Sequence, residues 1–127
     1  MIAKSVNHIS FAVRSLERSR DFYEGLLGLE QIERPDFGIP GIWYGAGNAQ
    51  VHLIEVPEDA EVGSPAPDLT PLANHQAFTI SDYTKTLEVL KSRGVGVLET
   101  SAENGQLFIQ DPDGNVIELI AEGARPR

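Results

Sequence analysis

An internal repeat divides this chain into two similar halves. Segment 7–13, Asn-His-Ile-Ser-Phe-Ala-Val, recurs as segment 74–80, Asn-His-Gln-Ala-Phe-Thr-Ile, with asparagine, histidine and phenylalanine at the same spacing. Segment 51–54 returns as segment 117–120, where a polar residue again interrupts an apolar run. Because self-similarity of this kind marks a duplicated supersecondary unit, the chain is predicted to fold as two equivalent modules.

Each half shows the same predicted order of elements, a strand, a helix and three shorter strands. In the first half Ser15 is placed to cap a helix that ends at Gly28, and in the second half Ser81 or Asp82 caps a helix that ends at Gly94. The strands are predicted at about 6–13, 29–34, 41–44 and 49–56 in the first half and at about 74–80, 95–100, 106–110 and 115–120 in the second. Turn residues at 45–48 and 111–114 predict a hairpin in each half.

The length of 127 residues allows one compact domain and little more. Segment 57–72 is rich in proline and acidic residues and is interpreted as a solvated linker. We therefore expect a single domain made of a module at about 5–56, a linker at 57–72 and a second module at about 73–121.

Composition narrows the classes of partner and site. The net charge of −9 disfavours binding to nucleic acid or to an anionic membrane, since both need a basic surface. The absence of cysteine excludes disulfides, thiolate nucleophiles and cysteine metal sites. Neither a leader-like segment nor a run of about 20 apolar residues is found, so a cytoplasmic location is expected.

All three histidines of the chain fall on the repeated motifs. His8 and His75 occupy equivalent positions, and His52 corresponds to Glu118. If a pseudo-twofold axis relates the halves, these four side chains converge, and their nitrogen and oxygen donors suit zinc, nickel, cobalt, manganese or iron better than magnesium or calcium. The simpler alternative is that each histidine is a hydrogen-bonded structural residue and that Glu118 is exposed on an edge strand.

These motifs resemble the vicinal oxygen chelate superfamily, which includes glyoxalase I, bleomycin resistance proteins, fosfomycin resistance proteins, methylmalonyl-CoA epimerase and extradiol dioxygenases. The resemblance extends from Val6 to about Ala121 and rests on the segments 7–13, 19–23, 26–29 and 111–118. It implies an α+β fold in which two paired βαβββ modules form a cup-shaped mixed sheet around a divalent metal. The implied ligands are His8, His52, His75 and Glu118.

The resemblance also implies a reaction in which vicinal substrate oxygens chelate the metal. We expect a metal-dependent lyase or isomerase of the glyoxalase I type, acting on a small oxygenated substrate or its thiol conjugate. Glu118 is the candidate base, and Glu55 is a weaker candidate because its strand parity places it opposite His52. Candidate substrate-binding residues are Ser10, Gln50 and Phe108.

Alternatives within the superfamily remain open at this point. Many glyoxalase I enzymes have glutamate where this chain has His52, and the fosfomycin group holds its metal with counterparts of His8, His75 and Glu118 only. Fosfomycin transfer ranks low, because few basic residues are expected near the metal. An iron-dependent extradiol dioxygenase and a drug-binding protein without turnover are the two other hypotheses. Since related proteins of this size commonly dimerise, a homodimer is expected.

Overall fold

The computed structural model describes residues 1–124. Its contacts divide the chain into a first unit, Met1–Gly63, and a second unit that starts at Ser64. The first unit contains β1 (His8–Val13), α1 (Leu16–Arg20), a π-helix (Asp21–Leu26), β2 (Glu30–Ile32), β3 (Gly41–Ala46) and β4 (Ala49–Glu55). The second contains β5 (His75–Ile80), α2 (Tyr83–Ser92), β6 (Leu98–Glu99), β7 (Gln106–Gln110) and β8 (Val116–Ala121).

Each unit is built around one four-stranded mixed sheet. The strand order is β1-β4-β3-β2 in the first unit and β5-β8-β7-β6 in the second. In both sheets the first strand runs parallel to the last, and the remaining pairs are antiparallel. The predicted α+β class with two βαβββ modules is therefore confirmed.

The helical segment of the first unit differs from a simple α-helix. Ser15 caps it as predicted, its Oγ accepting from the backbone N–H of Arg18 at 3.2 Å. After five residues the α-helix changes to the wider π-helix, in which the consecutive residues Phe22 and Tyr23 are both buried.

The second helix begins and ends at predicted residues. Of the two candidate caps it is Asp82 that acts, with Oδ1 accepting from the N–H of Lys85 at 2.9 Å. Gly94 follows the helix with a φ of +70°, a conformation that glycine adopts without the strain that a β-carbon adds.

The outer strands are shorter than the sequence predicts. β6 has only two residues, against a prediction of about 95–100, and β2 has three, against a prediction of about 29–34. Both lie at a sheet edge, where few backbone partners are available to extend a strand. Segment 57–72 contains neither helix nor strand.

In the first sheet, strand alternation separates a helix-packed face from an open face. In the first unit Tyr44 and Leu53 are fully buried, and the ring of Tyr44 stacks on that of Tyr23 at 6.4 Å. The neighbouring positions Trp43 and His52, directly opposite each other in the register, therefore share the other face. In residues 1–124 no helix has the length and apolar character needed to cross a bilayer.

Candidate metal centre

His75 and Glu118 lie on adjacent strands of the second unit and contact each other. Nε2 of His75 is 3.0 Å from Oε1 of Glu118. His75 begins β5, and Glu118 is in the middle of β8, the strand parallel to it. The carboxylate is largely removed from solvent, since Glu118 is only 7% exposed. A buried carboxylate needs a compensating positive charge or donors, so this contact is central to the site.

The backbone determines which nitrogen of His75 faces Glu118. Nδ1 of His75 lies 2.7 Å from the carbonyl oxygen of Ala73, to which it can only donate. In a neutral imidazole the other nitrogen then carries a lone pair. Nε2 and the carboxylate would face each other as two acceptors, and a cation or a proton between them removes this conflict.

Two further side chains of the second unit position this pair. Nε2 of Gln106 donates to Oε2 of Glu118 at 3.2 Å, so each carboxylate oxygen has its own partner. The ring of Phe108 meets that of His75 edge to face, with centroids 5.5 Å apart. Phe108 is directly opposite Glu118 in the register, and Gln106 is two residues away on the same face.

His8 and His52 are also close together, but in a stacked arrangement. Their ring centroids are 4.0 Å apart with an angle of 16° between the planes, and the other face of His52 stacks on Trp43 at 4.1 Å and 5°. Imidazole lone pairs lie in the ring plane, so stacked rings direct them side by side rather than to one point. Nδ1 of His8 donates to Oδ1 of Asn7 at 2.7 Å, which leaves Nε2 of His8 as the atom without a partner in that contact.

The surroundings of His52 favour its neutral form. Burial is the largest cause that lowers the pKa of His52, and the positive charges of His8 and Arg34 lower it further. Its Nε2 lies 2.8 Å from Oε1 of Gln50, two residues away on β4. A neutral imidazole is the form that can bind a metal.

The predicted site residues are therefore found as two pairs. The structure brings His8 to His52 within the first unit and His75 to Glu118 within the second. Over residues 1–124, no cluster of three or more histidine, aspartate or glutamate side chains is arranged to hold a metal ion. A common four-ligand centre stays a prediction.

The other predicted site residues have different surroundings. Gln50 contacts His52, and Phe108 contacts His75, whereas Ser10 is exposed on β1 opposite His52 in the register. Glu55 has a structural role, because its Oε1 accepts from the backbone N–H of Leu16 at 3.1 Å at the start of α1. This contact explains Glu55 without a function as a base.

Sequence reasoning missed Gln106 and the carbonyl of Ala73. The position of Gln106 was open to prediction, because it shares strand parity with Phe108 on the strand that forms a hairpin with the Glu118 strand. Nothing in the sequence identifies a backbone carbonyl as the partner of His75.

The donor set of the second unit fits a divalent cation of the borderline class. A lone pair on imidazole Nε2, a carboxylate oxygen 3.0 Å away and a carbonyl acceptor on Nδ1 together form the arrangement that metal-binding histidines use in proteins. His75 and Glu118 would hold such an ion, and His8 and His52 are the further candidate ligands from the first unit.

Comparison with known proteins assigns the chain to a family. The model of the Glyoxalase/Bleomycin resistance protein/Dioxygenase superfamily matches residues 5–119. The chain belongs to this superfamily. A similar protein of Arabidopsis thaliana, Glyoxylase I 4, is 31% identical over 121 residues, which cover 91% of this chain and 69% of the relative. The Metallothiol transferase FosB of Lysinibacillus sphaericus is 27% identical, with 94% of this chain and 83% of the relative covered.

Solved structures of superfamily members have the same fold. Glyoxalase I of Leishmania major, described as trypanothione-dependent, matches with a TM-score of 0.75 at 23% identity, over 94% of this chain and 88% of that one. The fosfomycin resistance protein FosX of Mesorhizobium loti matches with a TM-score of 0.68 at 20% identity, over 94% and 92% of the two chains. At these identities the likeness concerns the fold alone.

Proposed function

We propose that this protein is a metal-dependent enzyme of the glyoxalase I type, a lyase or isomerase acting on a small oxygenated substrate or its thiol conjugate. The proposed ligands of the divalent ion, which is zinc, nickel, cobalt, manganese or iron, are His8, His52, His75 and Glu118. The superfamily match and the relatives named as glyoxalase I support the reaction class.

The contact between His75 and Glu118 carries this proposal. It combines a histidine whose Nδ1 is engaged by a carbonyl with a carboxylate that is 7% exposed, at 3.0 Å. His75 is exposed at the start of β5, whereas burying the carboxylate of Glu118 is costly unless donors or a cation compensate it. A cation bound between the imidazole and the carboxylate would offset this cost.

The side chains of the second unit have distinct roles in the proposed reaction. A bound divalent cation would supply Lewis-acid polarisation of a substrate carbonyl. Gln106 donates to Oε2 of Glu118, which leaves Oε1 as the carboxylate oxygen that, when it is not bound to the ion, would accept the proton from the carbon next to that carbonyl. Phe108 and His75 pack edge to face, which keeps the imidazole from rotating. Gln50 and Ser10, on the open face of the first sheet, are proposed to orient substrate oxygens.

The test measures metal content and turnover on the same preparation. The full chain is purified without added metal, analysed for elements, and assayed with the hemithioacetal of methylglyoxal and glutathione. We expect a stoichiometric divalent metal and an activity that chelator removes and metal restores. The change Glu118→Gln should lower kcat roughly 10²- to 10⁴-fold, the usual range for loss of a general base. Glu122→Gln, at an exposed position on the same half of the chain, is the matched control.

Three results would contradict the proposal. Protein that contains no stoichiometric metal and whose activity is insensitive to chelator fits a binding protein better. Oxygen uptake with a catechol after iron loading fits a dioxygenase. Full activity of the Glu118→Gln variant removes the assigned base.

We also propose that the two modules, at about 5–56 and 73–121 with the linker 57–72, make one domain of a homodimer. Within its own sheet, each of β1 and β5 is paired on one side only. Such edges need a partner or protection from aggregation, which supports assembly through these strands.

A further inference from the structure

The side chain of Arg34 is held in place on the first unit by two contacts with the loop that follows it. Its Nη2 donates to the carbonyl of Ile39 at 2.9 Å. Its guanidinium also lies over the ring of Phe37, with 5.2 Å from Cζ to the ring centroid. A long side chain fixed at both positions loses much of the rotational freedom of an arginine on a surface.

Gly41 provides the space that the guanidinium occupies. A β-carbon at Gly41 would lie 2.8 Å from Nη2 and 2.9 Å from Cζ of Arg34, and 2.6 Å from the carbonyl oxygen of Leu53. A larger residue at this strand position would displace the guanidinium and clash with the backbone carbonyl of Leu53. The β-carbon direction also shows on which face the guanidinium lies. Gly41 and Trp43 are two residues apart on β3 and share the open face of the sheet.

This cation lies at one end of a row of rings that reaches the histidines. Phe37 contacts Trp43 with ring centroids 6.0 Å apart, Trp43 stacks on His52, and His52 stacks on His8. Arg34 is therefore next to the half of the candidate site that the first unit supplies.

The hydrogen-bonding capacity of Arg34 is mostly unused. A guanidinium has five N–H donors, and in residues 1–124 the one hydrogen bond of Arg34 is that to Ile39. Its Nε is buried and unpartnered in this part of the chain, and no carboxylate pairs with it there, although the chain has 19 acidic residues. A purely structural arginine in so acidic a protein is expected to have an acidic partner.

We propose that Arg34 binds an anionic oxygen group of the substrate, a carboxylate or a phosphonate, on the open face of the first sheet. The proposal rests on the proposed function, because it names the substrate class for that same site. In a protein with a net charge of −9, a fixed cation is needed to hold an anion against the general repulsion. The planar guanidinium matches both groups with two parallel hydrogen bonds.

Trp43 makes the test direct, since it is the single tryptophan of the chain and lies in the ring row. Chelator-treated full-length protein is titrated at pH 8 and constant ionic strength with mandelate and with mandelamide, and Trp43 fluorescence is recorded. The two probes have the same ring and vicinal oxygens and differ in charge. We expect mandelate to bind roughly tenfold more tightly than mandelamide, as for one hydrogen-bonded ion pair.

Two substitutions at Arg34 identify the cation responsible. Arg34→Gln should remove the preference for mandelate and leave the mandelamide affinity within about twofold, and Arg34→Lys should keep part of the preference. If the Arg34→Gln variant does not fold, a smaller ratio of mandelate to mandelamide affinity in Arg34→Lys than in wild type tests the proposal. Lys85→Gln removes the same charge from an exposed position in the second unit and should change neither affinity.

Equal affinities of wild type for the two probes, no binding of either, or an undiminished preference in the Arg34 variants would overturn the proposal. The titration involves neither metal nor turnover. An anion preference in a protein without metal-dependent activity would therefore refute the proposed reaction alone, and metal-dependent activity without an anion preference would refute the role of Arg34 alone.

Discussion

Glu118 is held by two partners of different chemistry, the imidazole of His75 and the side-chain amide of Gln106. The amide can only donate to Oε2, so it directs Oε1 toward His75 without competing for the same atom. Outer contacts of this kind set the orientation of a ligand and commonly contribute 10- to 100-fold to metal affinity. We therefore expect Gln106 to be a positioning residue of the candidate site.

The change Gln106→Leu should weaken metal binding by roughly 10- to 100-fold, because it removes the amide donor while keeping a similar volume. Isothermal titration of chelator-treated protein with zinc measures the effect. The control is Gln110→Leu, the same change on the same strand and face, at a residue in register with Val116. Equal zinc affinities of the two variants would show that Gln106 does not position Glu118.

His52 predicts a pH dependence of stability. Burial, followed by the charges of His8 and Arg34, lowers its pKa in the folded protein, so the unfolded chain binds a proton at His52 more readily. The contribution of the neutral ring is fully present above the ordinary histidine pKa of about 6.5 and is lost as the pH falls from there toward the lowered value.

We therefore expect the free energy of unfolding of chelator-treated protein, measured with urea, to decrease as the pH is lowered from about 7.5 to about 5. His52→Phe keeps a flat ring in the stack and cannot titrate, so its decrease should be smaller. If the free energy of unfolding of His52→Phe depends on pH as strongly as that of wild type, groups other than His52 cause the decrease.

The equivalence of the histidines holds for their position and fails for their contacts. His8 and His75 both lie at the start of the first strand of a module, as the repeat predicts. His75 meets a carboxylate edge-on, whereas His8 stacks face to face on His52. The difference follows from the residue on the adjacent strand, because a flat imidazole stacks and a carboxylate accepts a hydrogen bond.

At the scale of elements, α1 depends on the neighbouring sheet for its start. Only five residues long, it is too short to be stable alone, and Glu55 at the end of β4 accepts the N–H of its first residue. A carboxylate at a helix N-terminus also interacts favourably with the helix dipole. The strand thus fixes the direction in which the helical segment leaves the sheet.

The change Glu55→Ala should lower the free energy of unfolding by about 1 kcal/mol, as for the loss of a helix cap, and leave kcat unchanged. Urea denaturation and the hemithioacetal assay measure the two quantities. Glu33→Ala, at an exposed residue after β2, should change neither. A large fall in kcat of Glu55→Ala without loss of stability would instead identify Glu55 as the base.

The unpaired strand edges of the two sheets bear on how the protein assembles. Each sheet has four strands and, in its own unit, a first strand whose outer edge is unpaired. Unpaired edges of this type are protected or paired in stable proteins. In a homodimer, a second copy of the same chain can pair with or cover such an edge.

Sedimentation velocity should therefore give a mass about twice that of one chain at micromolar concentration. The change Ala77→Pro places a residue without an N–H in the middle of β5 and should shift the protein toward monomer if that edge is used. The control is Ala66→Pro, which introduces a proline in segment 57–72, where the chain forms neither helix nor strand. A monomeric wild type would contradict the prediction.

The sequence alone determined the duplicated βαβββ order, the Ser15 cap, the region of the second cap and the positions of the histidines and Glu118, because periodicity, capping residues and turns are local properties. The tertiary structure decided the rest. It contains a π-helix in which Phe22 and Tyr23 are both buried, and Glu55 caps α1 because β4 ends beside that helix. Gln106 and Arg34 gain their roles from strands and loops that only folding brings next to Glu118 and Gly41, and no local pattern encodes such contacts.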